Sequence, residues 1–216
     1  MPITLYFMAA SAPCRSVLML AHNLKLDINI TNIDIMAGDQ LKPEFTAINP
    51  QHTIPTINDE GFILWESRAI LCYFANKYGK EDSLYPKDPE KRALVDRMLY
   101  FDMGTLYRAF CDFVYPQILL KTVPNPEKED KMIECLSHLN TYLEKSAHVA
   151  SDFLTIADFA IFATLITFQV AINFDFTKFY NIARWIELMK SELPFYSEVN
   201  QKGIDDFRQW YLVTRP

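Results

Sequence analysis

Apolar and polar positions change their period near residue 80. Before it, apolar residues come in short runs bounded by turns; after it, they recur at helical spacing with few breakers. Ile3 to Met8 is a β-type run, apolar on both faces, which predicts a strand buried between layers. Ser11-Ala12-Pro13 then supplies a hydroxyl cap and an early-helix proline, predicting a helix to about Asn23. Ile28, Ile30 and Ile33 mark a second strand, so the first 35 residues read as a βαβ unit with parallel strands and a right-handed crossover. Met36 to Ile48 reads as loop with a short helical turn. Pro55 to Asn58 and Phe62 to Trp65 flank Asp59-Glu60-Gly61, which predicts an antiparallel hairpin with positive φ at the glycine. From Ser67, the positions Ile70, Leu71, Phe74 and Tyr78 have helical spacing, and Gly79 is the expected C′ residue.

Residues 80–89 carry charges and prolines, with only Leu84 and Tyr85 as apolar anchors, and read as a linker. The expected organisation is a first domain at 1–80, a linker at 81–89 and a second domain at 90–216. In the second, spacing predicts helices over about 90–120, 126–144, 155–172 and 181–192, with two weaker ones at 196–202 and 205–211. Thr155 and Asp158 form a capping-box variant beside Leu154. Phe159-Ala160-Ile161-Phe162-Ala163 is apolar on every side, so this helix should lie at the buried centre of its domain. The fold class is α/β, a βαβ-ββα unit, followed by an all-α helical domain.

Composition narrows the functional classes. The 21 basic and 27 acidic side chains give a net charge of −6, opposite to the basic footprint of a nucleic-acid binder. Half of the residues are hydrophobic, yet no apolar run approaches the roughly 20 residues of a membrane span. The N-terminal residues lack the basic and apolar regions of a signal peptide, and a cytosolic protein is expected. Cys14, Cys72, Cys111 and Cys135 form no C-x-x-C pair and stand at no zinc-ligand spacing from His22, His52, His138 or His148. Buried, reduced thiols and no metal site are expected.

A small βαβ-ββα unit resembles the thioredoxin fold, which directs attention to the turn Ala9-Ala10-Ser11-Ala12-Pro13-Cys14-Arg15-Ser16. Redox members of that fold carry an attacking cysteine where this chain has Ser11, and dithiol exchange needs both sulfurs. A hydroxyl at a helix N-terminus reads as an N-cap or as a donor to a bound thiolate, and one hydroxyl can be both. Gln51-His52-Thr53-Ile54-Pro55 opens the hairpin. A proline there predicts a cis Ile54–Pro55 bond that leaves the Ile54 backbone to pair with a peptide ligand. Glu66 and Ser67 at the next helix start offer a carboxylate to an ammonium group, and a hydroxyl with N–H groups to a carboxylate. Taken alone, that pair is an ordinary cap.

Several ordered blocks then combine: Ser11 to Val17, Asn49-Pro50-Gln51-His52, Trp65 to Ile70, Leu84-Tyr85-Pro86, Tyr100 to Tyr107, and Leu154 to Asp158. Together they resemble cytosolic glutathione transferases across essentially the whole chain, and look like the arthropod-type delta class with epsilon nearest. The zeta class is disfavoured because its Ser-Ser-Cys run with a following Trp is absent, the omega class because its cysteine position is Ser11.

The resemblance implies an enzyme that conjugates glutathione, a co-substrate and not a tightly bound cofactor, to small hydrophobic electrophiles. It implies that Ser11 stabilises the glutathione thiolate. Ile54 would pair with the cysteinyl amide before Pro55; Glu66 and Ser67 would hold the γ-glutamyl ammonium and carboxylate. Gln51 and His52 would reach the glycyl end, with Thr53 in the same loop. Arg68 would contact the tripeptide or orient Glu66, and Met103 would add a contact. Tyr107, Phe110, Tyr115, Ile118, Leu119, Phe207, Trp210 and Tyr211 would line an apolar substrate pocket, although aromatic stripes at helical spacing also read as plain core. A homodimer is implied, through Trp65 to Tyr78 and the helix bearing Tyr100 and Asp102, with no nucleic-acid or membrane partner. Two departures stand out: Ala9-Ala10 replaces the usual Pro-Gly, and Gln40 replaces a loop histidine, which suggests weaker glutathione binding. A non-catalytic carrier of hydrophobic ligands, or a glutathione-dependent dehydrochlorinase or isomerase on the same site, are the alternatives.

Overall fold

In the computed structural model, which describes residues 2–214, four strands form one mixed sheet in the order β2-β1-β3-β4. They are β1 (Ile3–Phe7), β2 (Ile28–Asn32), β3 (Thr56–Asp59) and β4 (Phe62–Trp65). β1 runs parallel to β2 and antiparallel to β3, and β3 and β4 close the hairpin. Helix α1 (Ala12–Asn23) crosses from β1 to β2 and packs against α3 (Ser67–Tyr78), which follows β4. β1 departs from the expected strand buried on both faces. Ile3, Leu5 and Phe7 are buried, whereas Thr4 and Tyr6 are half-covered, Tyr6 meeting Phe45 of the short α2 (Pro43–Thr46) with ring centroids 5.5 Å apart.

Two glycine expectations separate. Gly61 takes φ +95° in the hairpin turn, as its place demands. Gly79 has φ −63° in extended backbone, so it is no left-handed cap; a Cβ there would stand 2.3 Å from the Ala75 carbonyl oxygen, and the constraint is steric.

The helical half comprises α4 (Pro89–Phe101), α5 (Tyr107–Leu119), α6 (Pro126–Tyr142), α7 (Ile156–Ala171), α8 (Tyr180–Glu192) and α9 (Tyr196–Thr214). The single helix expected over 90–120 is interrupted: Asp102–Leu106 widen into a π-helical turn, a feature that often marks functional positions, with Asp102 fully buried. The two short helices expected near the C-terminus are one helix, α9. Gly203 does not break it, because there α9 lies against the first loop; a Cβ would sit 2.0 Å from the Ala9 carbonyl oxygen. All four cysteines are free, but only Cys14 and Cys135 are buried; Cys72 and Cys111 are half-buried, short of expectation.

Thr155 to Phe168 are buried without interruption, which puts α7 at the centre of the helices. Its capping box is formed: Thr155 N–H and Oγ1–H both donate to Asp158 Oδ2 at 2.9 Å. Asp158 Oδ1 accepts from Val149 N–H at 3.0 Å and from Trp185 Nε1–H at 3.1 Å. Beside it lies His148, its Nδ1 3.3 Å from Asp158 Oδ1 and its Nε2 3.4 Å from Glu192 Oε2.

Asp158→Ala strands several buried donors, each costing about 1–3 kcal/mol. Urea unfolding should show a loss of at least about 3 kcal/mol by the same reckoning. A loss below about 1 kcal/mol would show that the carboxylate does not organise this end of α7. His148 gives a pH signature. Burial pulls its imidazole pKa down, but Asp158 and Glu192 outweigh burial and hold it above the ordinary 6.5. A raised folded-state pKa means stabilisation that is complete below pH 6.5 and lost as pH rises through the folded value. The stability gap between wild type and His148→Gln should therefore be widest below that pH and shrink above it; a flat gap contradicts the assignment.

Candidate functional site

Strand register brings three segments to one edge of the sheet. Tyr6 pairs with Thr56 and Thr56 with Trp65, so the end of β1, the start of β3 and the end of β4 lie side by side. Just beyond those ends stand Met8 to Ser11, Ile54-Pro55 and Glu66-Ser67.

Ser11 caps α1. Its Oγ accepts from Cys14 N–H at 3.3 Å, and its own N–H donates to the Met8 carbonyl at 3.0 Å. Among the described residues no oxygen accepts from the Ser11 O–H, and the Cys14 thiol is the side chain within its hydrogen-bonding reach. Arg15 holds the loop from behind, Nη1 donating to the Ala9 carbonyl at 2.7 Å and Nη2 to Thr167 Oγ1 at 2.5 Å. Burial pushes the Cys14 thiol up to about 11 despite the lowering effect of Ser11, Met8 and Arg15, so it is protonated near neutral pH.

Asn49, fully buried, builds the second segment. Its Nδ2 donates to the Thr53 carbonyl and to Thr56 Oγ1, both at 3.0 Å, and its Oδ1 accepts from Gln51 N–H at 2.9 Å. His52 has φ +47°, and the Ile54–Pro55 bond is cis. Among the described residues no backbone group bonds to the N–H or C=O of Ile54. Gln51, His52 and Thr53 are exposed, and Gln51 Oε1 accepts from Trp65 Nε1.

Glu66 adopts φ +69°, ψ 104°, a conformation that residues with a Cβ rarely take, and is exposed at the head of α3. Ser67 is buried and accepts from Arg68 Nη1 at 2.9 Å. The Arg68 fork is committed across the fold. Nε donates to Asp102 Oδ2 at 3.0 Å, joined by Nη2, and Asp102 Oδ1 accepts from Thr164 Oγ1 at 2.9 Å. Burial opposes the Arg68 charge, but Asp102 more than offsets it and raises the guanidinium pKa.

The residues assigned to an apolar pocket divide. Phe110, Ile118, Phe207 and Tyr211 are buried, with Phe110 stacked on Phe168 at 4.3 Å, which is core packing. Tyr107, Tyr115 and Trp210 are half-buried, Tyr115 standing 6.4 Å from Phe207 and 6.1 Å from Trp210 between ring centroids. Leu119 is 61% exposed and, with Tyr115, Cys111 and Arg108, lines an open cleft of about 580 Å³ along α5. Exposed Met103 borders a different cavity of about 350 Å³ between α3 and α4, beside Glu66, Arg68 and Tyr100. The contacts of Asn49, Asp102, Thr164 and Thr167 were not anticipated from the sequence. Only Asn49 carried a signal, an Asx residue opening a proline turn.

The family model described as glutathione S-transferase, N-terminal domain, matches residues 5–82, and its C-terminal counterpart matches residues 122–192. The fold is similar to that of a delta-class glutathione transferase of Nilaparvata lugens, with 46% identity and a TM-score of 0.95 over 99% of this chain and 100% of that one. A Bombyx mori glutathione transferase is 42% identical, with a TM-score of 0.94 over 97% of this chain and 98% of that one. A glutathione transferase homolog of Drosophila mojavensis, solved with bound glutathione, is 32% identical, with a TM-score of 0.90 over 99% and 98%.

Asp102→Ala leaves the Arg68 charge buried and unpaired, a change that costs about 3–5 kcal/mol. Denaturant unfolding should show that loss; a change under about 1 kcal/mol would mean that solvent already screens the pair.

Proposed function

Because the chain belongs to the glutathione S-transferase family, we propose that it binds glutathione along the edge formed by Ser11, Ile54 and Glu66. There it keeps the thiol ionised and passes the sulfur to a small hydrophobic electrophile. The observation that carries this reading is the Ser11 hydroxyl: its oxygen is held by Cys14 N–H, and its proton is available to a sulfur at the head of α1. A thiol of pKa about 8.5 is only a few per cent ionised at pH 7. Lowering that pKa by two units requires about 3 kcal/mol. A hydrogen bond to a charged acceptor supplies about 1.5–3 kcal/mol and a helix N-terminus about 0.3–1 more, so no general base is required.

In this reading Ile54 offers its unbonded backbone to the cysteinyl amide, while Glu66 and the N–H groups opening α3 take the γ-glutamyl end. Gln51, His52 and Thr53 border the glycyl end from their exposed loop, and Arg68 acts as a positioning residue through Ser67. Residues 1–80 hold the tripeptide, 81–89 link, and 90–216 supply the apolar wall, to which half-buried Tyr107, Tyr115 and Trp210 contribute. A homodimer through Trp65 to Tyr78 and the helix bearing Tyr100, which is exposed, fits the same picture, and a cytoplasmic setting goes with it. Among the described residues no helix is long and apolar enough to cross a membrane. The protonated Cys14 argues against a disulfide reductase.

Ser11→Ala removes the donor to the sulfur. Glutathione-dependent conjugation of a dinitrohalobenzene should fall roughly 10- to 100-fold in kcat/KM, the rate equivalent of that hydrogen bond. A thermal melt accompanies the assay, since loss of the cap alone costs about 0.5–2 kcal/mol. A fall of less than about threefold in folded protein contradicts the proposal.

A further inference from the structure

Arg15 stands on the first turn of α1 and is completely buried. Among the described residues its guanidinium reaches only neutral oxygens, the Ala9 carbonyl and Thr167 Oγ1, and its Nε is buried with no partner there. The titratable groups that face it are Cys14 from its own helix, Tyr107 and Tyr115 from α5, and Tyr196 from α9. None is anionic near neutral pH. Burial pushes Cys14 up to about 11 and Tyr115 up to about 12, and raises Tyr107 and Tyr196 above the ordinary phenol. Arg15 itself is lowered by burial to about 10, so it stays charged at pH 7.

A buried charge without a counter-ion destabilises a fold. This fold compensates its other deeply placed arginine of the region, since Arg68 has Asp102. The absence of such a partner at Arg15 coincides with its position behind the loop that carries Ser11. The guanidinium grips the carbonyl two residues before that serine. Gly203 closes the space from α9, where a Cβ would stand 2.0 Å from the Ala9 oxygen and 3.2 Å from Arg15 Cδ. The surroundings are therefore tight and closed to solvent, conditions under which a charge acts at range with little screening.

We propose that Arg15 is the counter-charge of the ligand: a positioning residue that fixes the Ser11 loop through Ala9, and whose unpaired positive charge favours ionisation of the bound glutathione thiol. The anion missing from the free protein arrives with the substrate. The step is a simple ionisation, in which the thiol proton leaves to solvent and no other bond changes. This inference rests on the thiolate reading above and adds to it a second source of the pKa shift besides Ser11.

The test is a pH titration of thiolate absorbance in the glutathione complexes of wild type, Arg15→Met, Arg15→Lys and Thr167→Asp, each checked by thermal melting. Arg15→Met should raise the pKa of the bound thiol by about one unit, a tenfold loss of thiolate at pH values below it. Arg15→Lys keeps the charge and should stay near wild type. Thr167→Asp places a carboxylate beside the guanidinium and should raise the thiol pKa while leaving the melting temperature unchanged or higher. A purely structural role predicts the opposite there, no loss of thiolate from a better-anchored arginine. Should Arg15→Met fail to fold, Thr167→Asp decides alone. The proposal falls if wild type shows a depressed thiol pKa that Thr167→Asp leaves unchanged, or if Arg15→Lys loses as much as Arg15→Met. An ordinary pKa in wild type would overturn the thiolate reading itself, and this inference with it.

Discussion

Because α7 is buried from Thr155 to Phe168, the polar groups that it carries need partners, and two of the neighbouring elements that supply them are those that shape the site. Thr164 reaches Asp102, which in turn holds Arg68 at the head of α3. Thr167, about one turn further on, takes Arg15 at the head of α1. Apolar packing by itself tolerates sliding and rotation of a helix among its neighbours. Two directional bonds from one rod remove that freedom, so the starts of α1 and α3 are set relative to each other through a helix that belongs to neither segment.

Two of the non-glycine residues with positive φ stand at the same edge. His52 and Glu66 both take positive φ, a state that costs of order 1–3 kcal/mol and persists only where the surroundings over-determine it. Asn49 supplies that constraint for the first, with bonds to Thr53, Thr56 and Gln51; the Ser67–Arg68–Asp102 chain supplies it beside the second. Both exposed residues are thus held on rigid supports, which is how a binding surface keeps its shape before a ligand arrives.

The local parts of this arrangement were legible in the sequence. Ser11 before Ala12-Pro13 announced a helix cap, Asp59-Glu60-Gly61 a hairpin turn, and Thr155 with Asp158 a capping box, because each is decided by residues within a few positions of one another. Arg15 was not legible: its partner Thr167 lies 152 residues away, and nothing in a window around it distinguishes it from a surface arginine. The same holds for Arg68 and Asp102, 34 residues apart. The aromatic stripe of α5 was only partly legible, for a different reason. Helical spacing tells which residues share a face, not whether that face meets core or cleft, and Phe110 and Leu119 came out on opposite sides of that question. The π-helical turn at Asp102–Leu106, which lies between them and α4, has no local signature either.

The contact between Gly203 and the Ala9 carbonyl has a consequence for biosynthesis. A ribosome delivers the sheet and its serine-bearing turn early, and the helix that must lean on that turn only after α1 to α8 have emerged. Until then the turn lacks its backing wall, although the sheet is finished. The turn gains its support late, not at the moment the sheet is finished.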